Sequence, residues 1–179
     1  MYKLILFASF FFLNARMYTE SIYTYTFKTI EGANKSISSF QGKRILIITL
    51  PIVQNSSNES LLHSLDSLKG VFLDSLTIIG VPSFEDGYTP ALKNSLKAWY
   101  RSILRNQIII SQGVHTRKTS GNQQHPLFKF LTDKDKNGHF DKDIDGPGNK
   151  FIVWKNGDLL GVVGAQIHIG GLTMNYLLQ

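Results

Sequence analysis

Hydrophobic residues fall into short continuous runs that alternate along the chain with more polar segments. Arg44 to Leu50 is an aliphatic, mostly β-branched run, typical of a central strand that is covered on both faces. Leu76 to Val81 predicts a second buried strand, and Ile108 to Ile110 predicts a short third one. Nearer the N-terminus, Ile22 to Lys28 alternates threonine with larger residues, as a half-buried strand does. These runs predict a sheet whose central strands are fully buried.

Segments with helical spacing separate the strands. Leu61, Leu65 and Leu68 recur at intervals of three and four residues, after a polar segment from Asn55 to Ser60 that supplies N-cap candidates. Further helices are predicted where Thr89-Pro90 opens an amphipathic stretch, over Leu127 to Leu131, and over Leu172 to Leu178 at the end of the chain.

The order of elements predicts the fold class. Phe151 to Gly164 contains strand-like runs on either side of Asn156-Gly157, a dipeptide typical of a tight hairpin turn. Strands therefore alternate with helices, and a hairpin and a helix close the chain. This order predicts an α/β protein, a three-layer sandwich around a central mixed β-sheet, which is the outline of a thioredoxin-like fold.

Composition and charge narrow the classes of partner. The 179 residues are 42% hydrophobic and 18% charged, which is typical of a globular domain. The chain has 19 basic and 13 acidic residues, a net charge of +6. The lysines are scattered, so we interpret the charge as a dispersed surface and expect no nucleic-acid partner.

The chain contains no cysteine. It therefore has no disulfide, no thiolate-bound metal or iron–sulfur cluster, and no reaction that uses a thiol of its own. Because disulfides are permitted but not required outside the cytosol, the absence does not indicate a compartment.

The N-terminus has the features of a secretory leader. One lysine precedes an apolar run from Leu4 to Leu13, and Ala15 is a small residue at a suitable cleavage position. Residues 1–16 are therefore predicted to be a signal peptide or leader, and residues 17–179 a single domain. The run is too short to span a bilayer. This pattern predicts a periplasmic or secreted protein, or a cytoplasmic one if Met17 is the true start.

Three segments look like parts of one enzyme family. Ser39 to Ile48 places an aromatic-x-Gly-Lys sequence before a buried aliphatic run, and His125 to Leu131 reads His-Pro-Leu-Phe-Lys-Phe-Leu. Lys150 to Val153 reads Lys-Phe-Ile-Val. In this order, over about Ile22 to Gly164, the segments resemble the glutathione peroxidases. The resemblance implies a glutathione-peroxidase-like variant of the thioredoxin fold.

The resemblance also implies which chemistry is missing. In that family a cysteine or selenocysteine attacks the peroxide, assisted by a glutamine, a tryptophan and an asparagine. The nucleophile's position follows the first buried strand and falls at or next to Gln54. The glutamine's position falls within Val81 to Glu85, and the Trp-Asn-Phe motif is replaced by Gly146-Pro147-Gly148. None of these positions carries the family's residue, so we do not expect the family's peroxidase activity here.

The former active-site segments would lie together at one end of the predicted sheet. Gln54, Asn55, Ser83, Gly146 and Pro147 thus form a possible binding rim for an unknown protein or small-molecule ligand. Because a fold does not fix a function, the loss of the reactive residue favours a non-catalytic binding or interaction module.

Two other functions stay open on the sequence. One is an enzyme of altered chemistry in the same cleft, with His115 or Glu85 as acid or base, although neither has an evident partner in the sequence. The other is a peroxidase homologue related to oxidative stress, in which this chain would act together with the thiol of a partner protein.

Two polar loops are candidate binding sites. His115, Arg117 and Lys118 lie in a glycine-bounded basic loop that could grip a phosphate or carboxylate, unless it is only an exposed connection. The second loop, Asp133 to Ile144, partly matches a calcium-binding pattern. Its candidate ligands are Asp133, Asp135, Asn137 and Asp141. Ile144 cannot supply the last carboxylate and lysines interleave with the acids, so weak calcium binding is the only cofactor prediction.

Overall fold

The computed structural model describes residues 20–105 and 107–179, and the predicted leader, residues 1–16, lies outside them. Within these described residues, seven strands form two sheets, a small hairpin and a five-stranded sheet with the order β5-β4-β3-β6-β7. The strands are β1 (Thr26–Lys28), β2 (Asn34–Ser36), β3 (Arg44–Leu50), β4 (Leu76–Pro82), β5 (Ile109–Ile110), β6 (Lys150–Val153) and β7 (Leu159–Val163). The α-helices are α1 (Ser56–Phe72), α2 (Lys93–Ile103), α3 (Pro126–Thr132), α4 (Lys134–Asn137) and α5 (Leu172–Leu178).

The large sheet is mixed, as predicted. Strand β4 runs parallel to β3 and to β5, whereas β6 is antiparallel to β3 and to β7. Every residue of β3 and of β4 is buried, which explains why both read as continuous apolar runs.

Helices cover both faces of this sheet. Leu46 and Ile48 of β3 pack in one core with residues of α1, α2 and α5, such as Leu65. Ile45 and Ile47 point to the opposite face, where they share a second core with residues of α3. Because alternate side chains of one strand fill two separate cores, the protein has the predicted three-layer α/β sandwich of the thioredoxin-like type.

Most predicted elements are confirmed, and two predictions need correction. The strand predicted from Ile22 begins only at Thr26, because Ser21 caps a short 3-10 helix over Ile22–Thr24 by accepting a hydrogen bond from the Tyr23 amide. The segment Asp133 to Ile144, predicted to be a loop, includes the one-turn helix α4. Asp133 caps that helix, since its side chain accepts a hydrogen bond from the Asp135 amide. In the described ranges, 20–105 and 107–179, no helix is long and apolar enough to cross a bilayer.

The register of the sheet brings three loops to one edge. Leu50 pairs with Pro82, so β3 and β4 end together, and Lys150 at the start of β6 pairs with Ile48. The segments that follow β3, follow β4 and precede β6 therefore lie at the same end of the sheet. We call this end the carboxyl edge.

Candidate functional site

Gln54 lies on the carboxyl edge, in the short connection between β3 and α1. Its side chain is exposed, and its Nε2 donates a hydrogen bond to Oε1 of Glu59 over 3.2 Å. The next residue, Asn55, caps α1 because its side chain accepts a hydrogen bond from the Asn58 amide over 2.9 Å. The position predicted for the nucleophile thus presents an exposed amide one residue before a helix cap.

Gly146 and Pro147 form a turn that is tied to the end of β3 by Thr49. The buried Thr49 hydroxyl donates to the Gly146 carbonyl over 2.9 Å and accepts from the Asn149 amide over 3.0 Å. The Gly148 amide also donates to the Thr49 carbonyl over 2.7 Å. The turn is thus held by hydrogen bonds to the hydroxyl and the carbonyl of Thr49, and neither Gly146 nor Pro147 has a titratable side chain.

Replacing Thr49 with valine should therefore loosen this turn. Valine keeps the shape of the side chain but leaves the buried Asn149 amide without its partner, at a cost of about 2 kcal/mol in the free energy of unfolding. Thr77→Val is the matched control, because the Thr77 hydroxyl makes no hydrogen bond in the described part of the chain. Equal losses in chemical denaturation for the two variants would show that Thr49 does not hold the turn.

Lys150, at the start of β6, is fully buried beside the same turn. Its Nζ donates to the carbonyls of Gly148 and Gly164 over 2.8 and 3.1 Å. Burial lowers the pKa of Lys150 to about 8. The ammonium is enclosed, so it serves the packing of the edge and does not face a ligand.

Ser83 follows β4 on the same edge and is fully buried. Its hydroxyl donates to Oε2 of Glu85 over 2.5 Å and lies 2.8 Å from the Thr116 hydroxyl. This corrects the expectation that Ser83 itself would line a binding rim. Its role is to hold Glu85, which lies two residues further along the chain.

Glu85 is the centre of a hydrogen-bond network that the sequence did not reveal. Its Oε1 lies 2.8 Å from Nδ1 of His115 and also accepts a hydrogen bond from the Ser120 hydroxyl. Its Oε2 accepts from Ser83 and from the Thr116 amide, the latter over 3.0 Å. Burial raises the pKa of this carboxyl, but hydrogen bonds from Ser120, Ser83 and Thr116 outweigh burial and bring the pKa to about 2. Glu85 is thus a fixed carboxylate.

His115 is oriented by this carboxylate. Because a carboxylate can only accept, Nδ1 of His115 carries the hydrogen, and its Nε2 is left as the other polar atom of the ring. The ring stacks on Phe84, with centroids 4.7 Å apart, and about a third of the side chain is exposed. Glu85 and His115 are therefore each other's partners, although the sequence showed no partner for either.

The predicted anion-binding cations are all matched by acids. The Arg117 guanidinium pairs with the buried carboxylate of Asp86, and the Lys118 ammonium pairs with Asp141. Together with the His115 contact to Glu85, each candidate donor already has an acidic partner. Anion binding by His115, Arg117 and Lys118 stays a prediction, and it would require displacing these contacts.

Three of the four predicted calcium ligands are engaged in local structure, and the fourth, Asp135, is exposed. Asn137 is buried, its Oδ1 accepts from the amides of His139 and Phe140, and its Nδ2 donates to two carbonyls. Asp133 caps α4, and Asp141 faces Lys118. Within residues 20–105 and 107–179, no group of three or more His, Cys, Asp or Glu side chains is placed to hold a metal ion. Calcium binding stays a prediction that would need this loop to rearrange.

A groove of about 630 Å³ lies between β7 and α5. Trp154, Leu160 and Tyr176 are among its lining residues, together with the titratable residues His139 and Asp158. Glu85 and His115 do not line this groove, so it is separate from their network.

Comparison with known proteins agrees with this architecture. No family model matches the chain. A curated relative, glutathione peroxidase 1 of Caenorhabditis elegans, is 23% identical over 141 residues, which cover 78% of this chain and 84% of the relative.

Solved structures share the fold. The crystal structure of T. cruzi GPX1 superposes with a TM-score of 0.63 at 14% identity, over 89% of this chain and 97% of that chain. A thiol:disulfide interchange protein of the thioredoxin family from Chlorobium tepidum TLS gives a TM-score of 0.59 at 15% identity, over 90% and 98% of the two chains. The chain is thus similar in sequence to a glutathione peroxidase over most of its length, and it has a thioredoxin-like fold without a cysteine.

Proposed function

We propose that this protein is a non-catalytic binding module that has the fold of a peroxidase but lacks the residues that reduce peroxide. The observation that carries this proposal is the exposed amide of Gln54 between β3 and α1, in a chain with no cysteine. A thiolate is the nucleophile in thiol chemistry, and neither an amide nor a hydroxyl replaces it toward a peroxide.

The carboxyl edge is the surface that best suits such a module. Val53, Gln54 and Asn55 are exposed there, and Val53 is an apolar side chain that is 58% accessible. In open α/β sheets, ligands usually bind beyond the carboxyl ends of the strands. A rigid turn at Gly146 and a fixed network around Glu85 flank this surface, so it is ordered without being reactive.

The first test is consumption of hydrogen peroxide by the purified natural protein with excess dithiothreitol. We expect a rate equal to that of the reductant alone, because no group on the protein can be oxidised and regenerated. Turnover that survives treatment with a chelator and repurification would overturn the proposal.

Acid–base catalysis is a second candidate, favoured by the contact between Glu85 and His115. A carboxylate that fixes one imidazole nitrogen and leaves the other free is the arrangement of a general base. However, the Ser120 hydroxyl approaches the same Nδ1 atom over 3.3 Å, so it is not aligned as a nucleophile on Nε2. Hydrolysis of p-nitrophenyl acetate by the natural protein should fall at least tenfold in His115→Gln if this candidate is correct, and should be unchanged if it is not.

A further inference from the structure

Strand β7 is the outermost strand of the large sheet, and its outer side is open in the described part of the chain. The opposite margin of the sheet is covered. There the Ile30 amide donates to the Ile110 carbonyl over 2.9 Å, and the Gln112 amide donates to the Lys28 carbonyl over 2.7 Å. Among the described residues, β7 exchanges backbone hydrogen bonds with β6 alone. A further strand could therefore pair at β7.

The side chains around this margin are apolar and exposed. A bulge in β7 leaves Leu160 without a partner on β6, and its side chain is 42% exposed. Helix α5 packs beside the strand, since a Cβ built at Gly161 would lie 3.9 Å from Leu177. On its outer side the helix presents Leu172 and Tyr176, which are 89% and 83% exposed. Apolar side chains that are clustered in this way mark an interaction surface.

The charge of this surface differs from that of the whole protein. His139 and Asp158 are the titratable side chains among the described residues that line the groove between β7 and α5, and no lysine or arginine lines it. The chain nevertheless has 19 basic residues and a net charge of +6. Two positively charged copies could thus meet here without bringing their cations together. Aromatic residues without lysine are also typical of the centre of a protein interface.

We propose that two copies of this protein pair through β7 in a two-fold dimer. In an antiparallel pairing of β7 with β7 the two-fold axis is normal to the sheet, so the two large sheets join into one. The same rotation places both α5 helices side by side on one face of the joined sheet. Leu172 and Tyr176 of each copy are then covered by the helix of the other. Because Gln54, Glu85 and His115 do not line the groove, this inference goes beyond the proposed binding function and does not depend on it.

A second copy explains the exposed residues better than an unrelated peptide does. A peptide strand added to β7 would cover Leu160, but it would leave the outer side of α5 in solvent. A second copy brings a strand and a helix together. Full burial of Trp154, Leu160, Leu172 and Tyr176 would remove roughly 500 Å² of surface from each copy, or about 1,000 Å² in total, which is the lower limit for a specific interface.

The test is the molar mass of the full-length protein in solution, measured by sedimentation equilibrium over a range of concentrations. We expect the mass of one copy in dilute solution and the mass of two copies in concentrated solution. An interface of this size predicts a dissociation constant in the micromolar range, below about 50 µM.

Two variants locate the contact, and one is a matched control. Leu160→Glu and Tyr176→Glu each place a carboxylate at the interface, and every dimer carries the change twice. Each variant should therefore weaken the dimer at least about thirtyfold. Leu73→Glu changes a leucine that is 66% exposed and does not line the groove, so the dimer should be unaffected. Since all three positions are exposed, we expect the monomers to fold equally well.

Cross-linking provides a second measurement that does not require weakening the dimer. Because the chain has no cysteine, Tyr176→Cys and Leu73→Cys each carry a single thiol. A short bis-maleimide should join two copies of Tyr176→Cys at least about tenfold faster than two copies of Leu73→Cys, because only the first pair is held together.

Several outcomes would overturn the inference. They are a monomer at every concentration, a mass that grows beyond two copies, and equal cross-linking of the two cysteine variants. A dimer that resists both Leu160→Glu and Tyr176→Glu would also overturn it, because another part of the chain, such as the apolar run from Leu4 to Leu13, would then hold the copies together. None of these results changes the expected outcome of the peroxide assay, so failure of the dimer and failure of the proposed function are distinguishable.

Discussion

Glu85→Gln is expected to destabilise the protein by about 2–4 kcal/mol at pH 7, because it leaves several buried donors without a charged acceptor. The Glu85 side chain is only 12% exposed and accepts hydrogen bonds on both oxygens. In glutamine one of these oxygens becomes an NH₂ group, which would face the hydroxyl or amide donors around it. We expect a lower midpoint in chemical denaturation with an unchanged slope.

The same substitution should remove an acid-dependent part of the stability. The pKa of Glu85 falls from its ordinary value of 4.5 to about 2 in the folded protein. A group with a depressed pKa stabilises the fold fully above about pH 4.5, and this stabilisation is lost as the pH falls toward 2. The stability of the natural protein should therefore drop over this interval by up to about 3 kcal/mol more than that of Glu85→Gln.

Glu59→Gln is the matched control for this prediction. Glu59 lies in the first turn of α1 and accepts a hydrogen bond from the exposed Gln54 side chain. Its replacement should cost less than about 1 kcal/mol. If Glu85→Gln costs no more than the control and keeps the natural pH dependence, Glu85 is not the centre of the network.

Gly113→Ala should have an effect of similar size for a steric reason. A Cβ atom at position 113 would lie 2.1 Å from Cδ1 of Tyr88, whose ring is buried. The Tyr88 ring packs edge-on against Phe84, which in turn stacks on His115. Since a close-packed interior has no room for the methyl group, we expect a loss of about 3 kcal/mol and a displaced His115 ring.

Gly146→Ala provides the comparison, because nothing lies within 4 Å of a Cβ built at that position. We expect a change of less than about 0.5 kcal/mol in its free energy of unfolding. The displacement in Gly113→Ala would be visible as a shift of the His115 ring signals in the NMR spectrum. If the two alanine variants have the same stability and the same His115 signals, Tyr88 does not pack as described.

The layered fold could be predicted from the sequence because its signals are local. The run from Arg44 to Leu50 and the terminal helix from Leu172 to Leu178 have the predicted bounds, since burial on both faces and helical spacing mark them directly. The Asn156-Gly157 turn is equally local. By contrast, the 3-10 helix at Ile22 is set by a single capping hydroxyl, which an alternating pattern does not reveal.

The chemistry of the carboxyl edge could be predicted only in part. The loss of the thiol follows from composition, and the positions of Gln54 and Gly146 follow from the order of strands. The contact between Glu85 and His115 spans 30 residues and depends on the bridge between Ser83 and Val114 beside β4. No local spacing encodes such a contact. Both residues could therefore be named as candidates from the sequence, but the hydrogen bond between them could not be predicted.

The sequence also did not indicate whether a polar side chain in a loop points to solvent or into the protein. Ser83 was expected at a surface because it follows a strand, but its hydroxyl turns inward to Glu85. Asn137 matches a calcium ligand in type, yet its amide is used to close the turn after α4. In both cases a polar residue in a loop satisfies buried backbone or carboxylate groups, which composition cannot distinguish from a binding role.

The most direct test of the lost chemistry is the rate of hydrogen peroxide consumption by the natural protein, Gln54→Cys and Ser67→Cys. Position 54 lies just before the amino end of the 17-residue helix α1, whose partial positive charge lowers the pKa of a thiol, whereas Ser67 is an exposed residue in the second half of the same helix. We predict no consumption by the natural protein and a rate for Gln54→Cys at least about tenfold above that of Ser67→Cys. Catalytic consumption by the natural protein, or equal rates for the two cysteine variants, would contradict the assignment of Gln54 to the lost nucleophile's position.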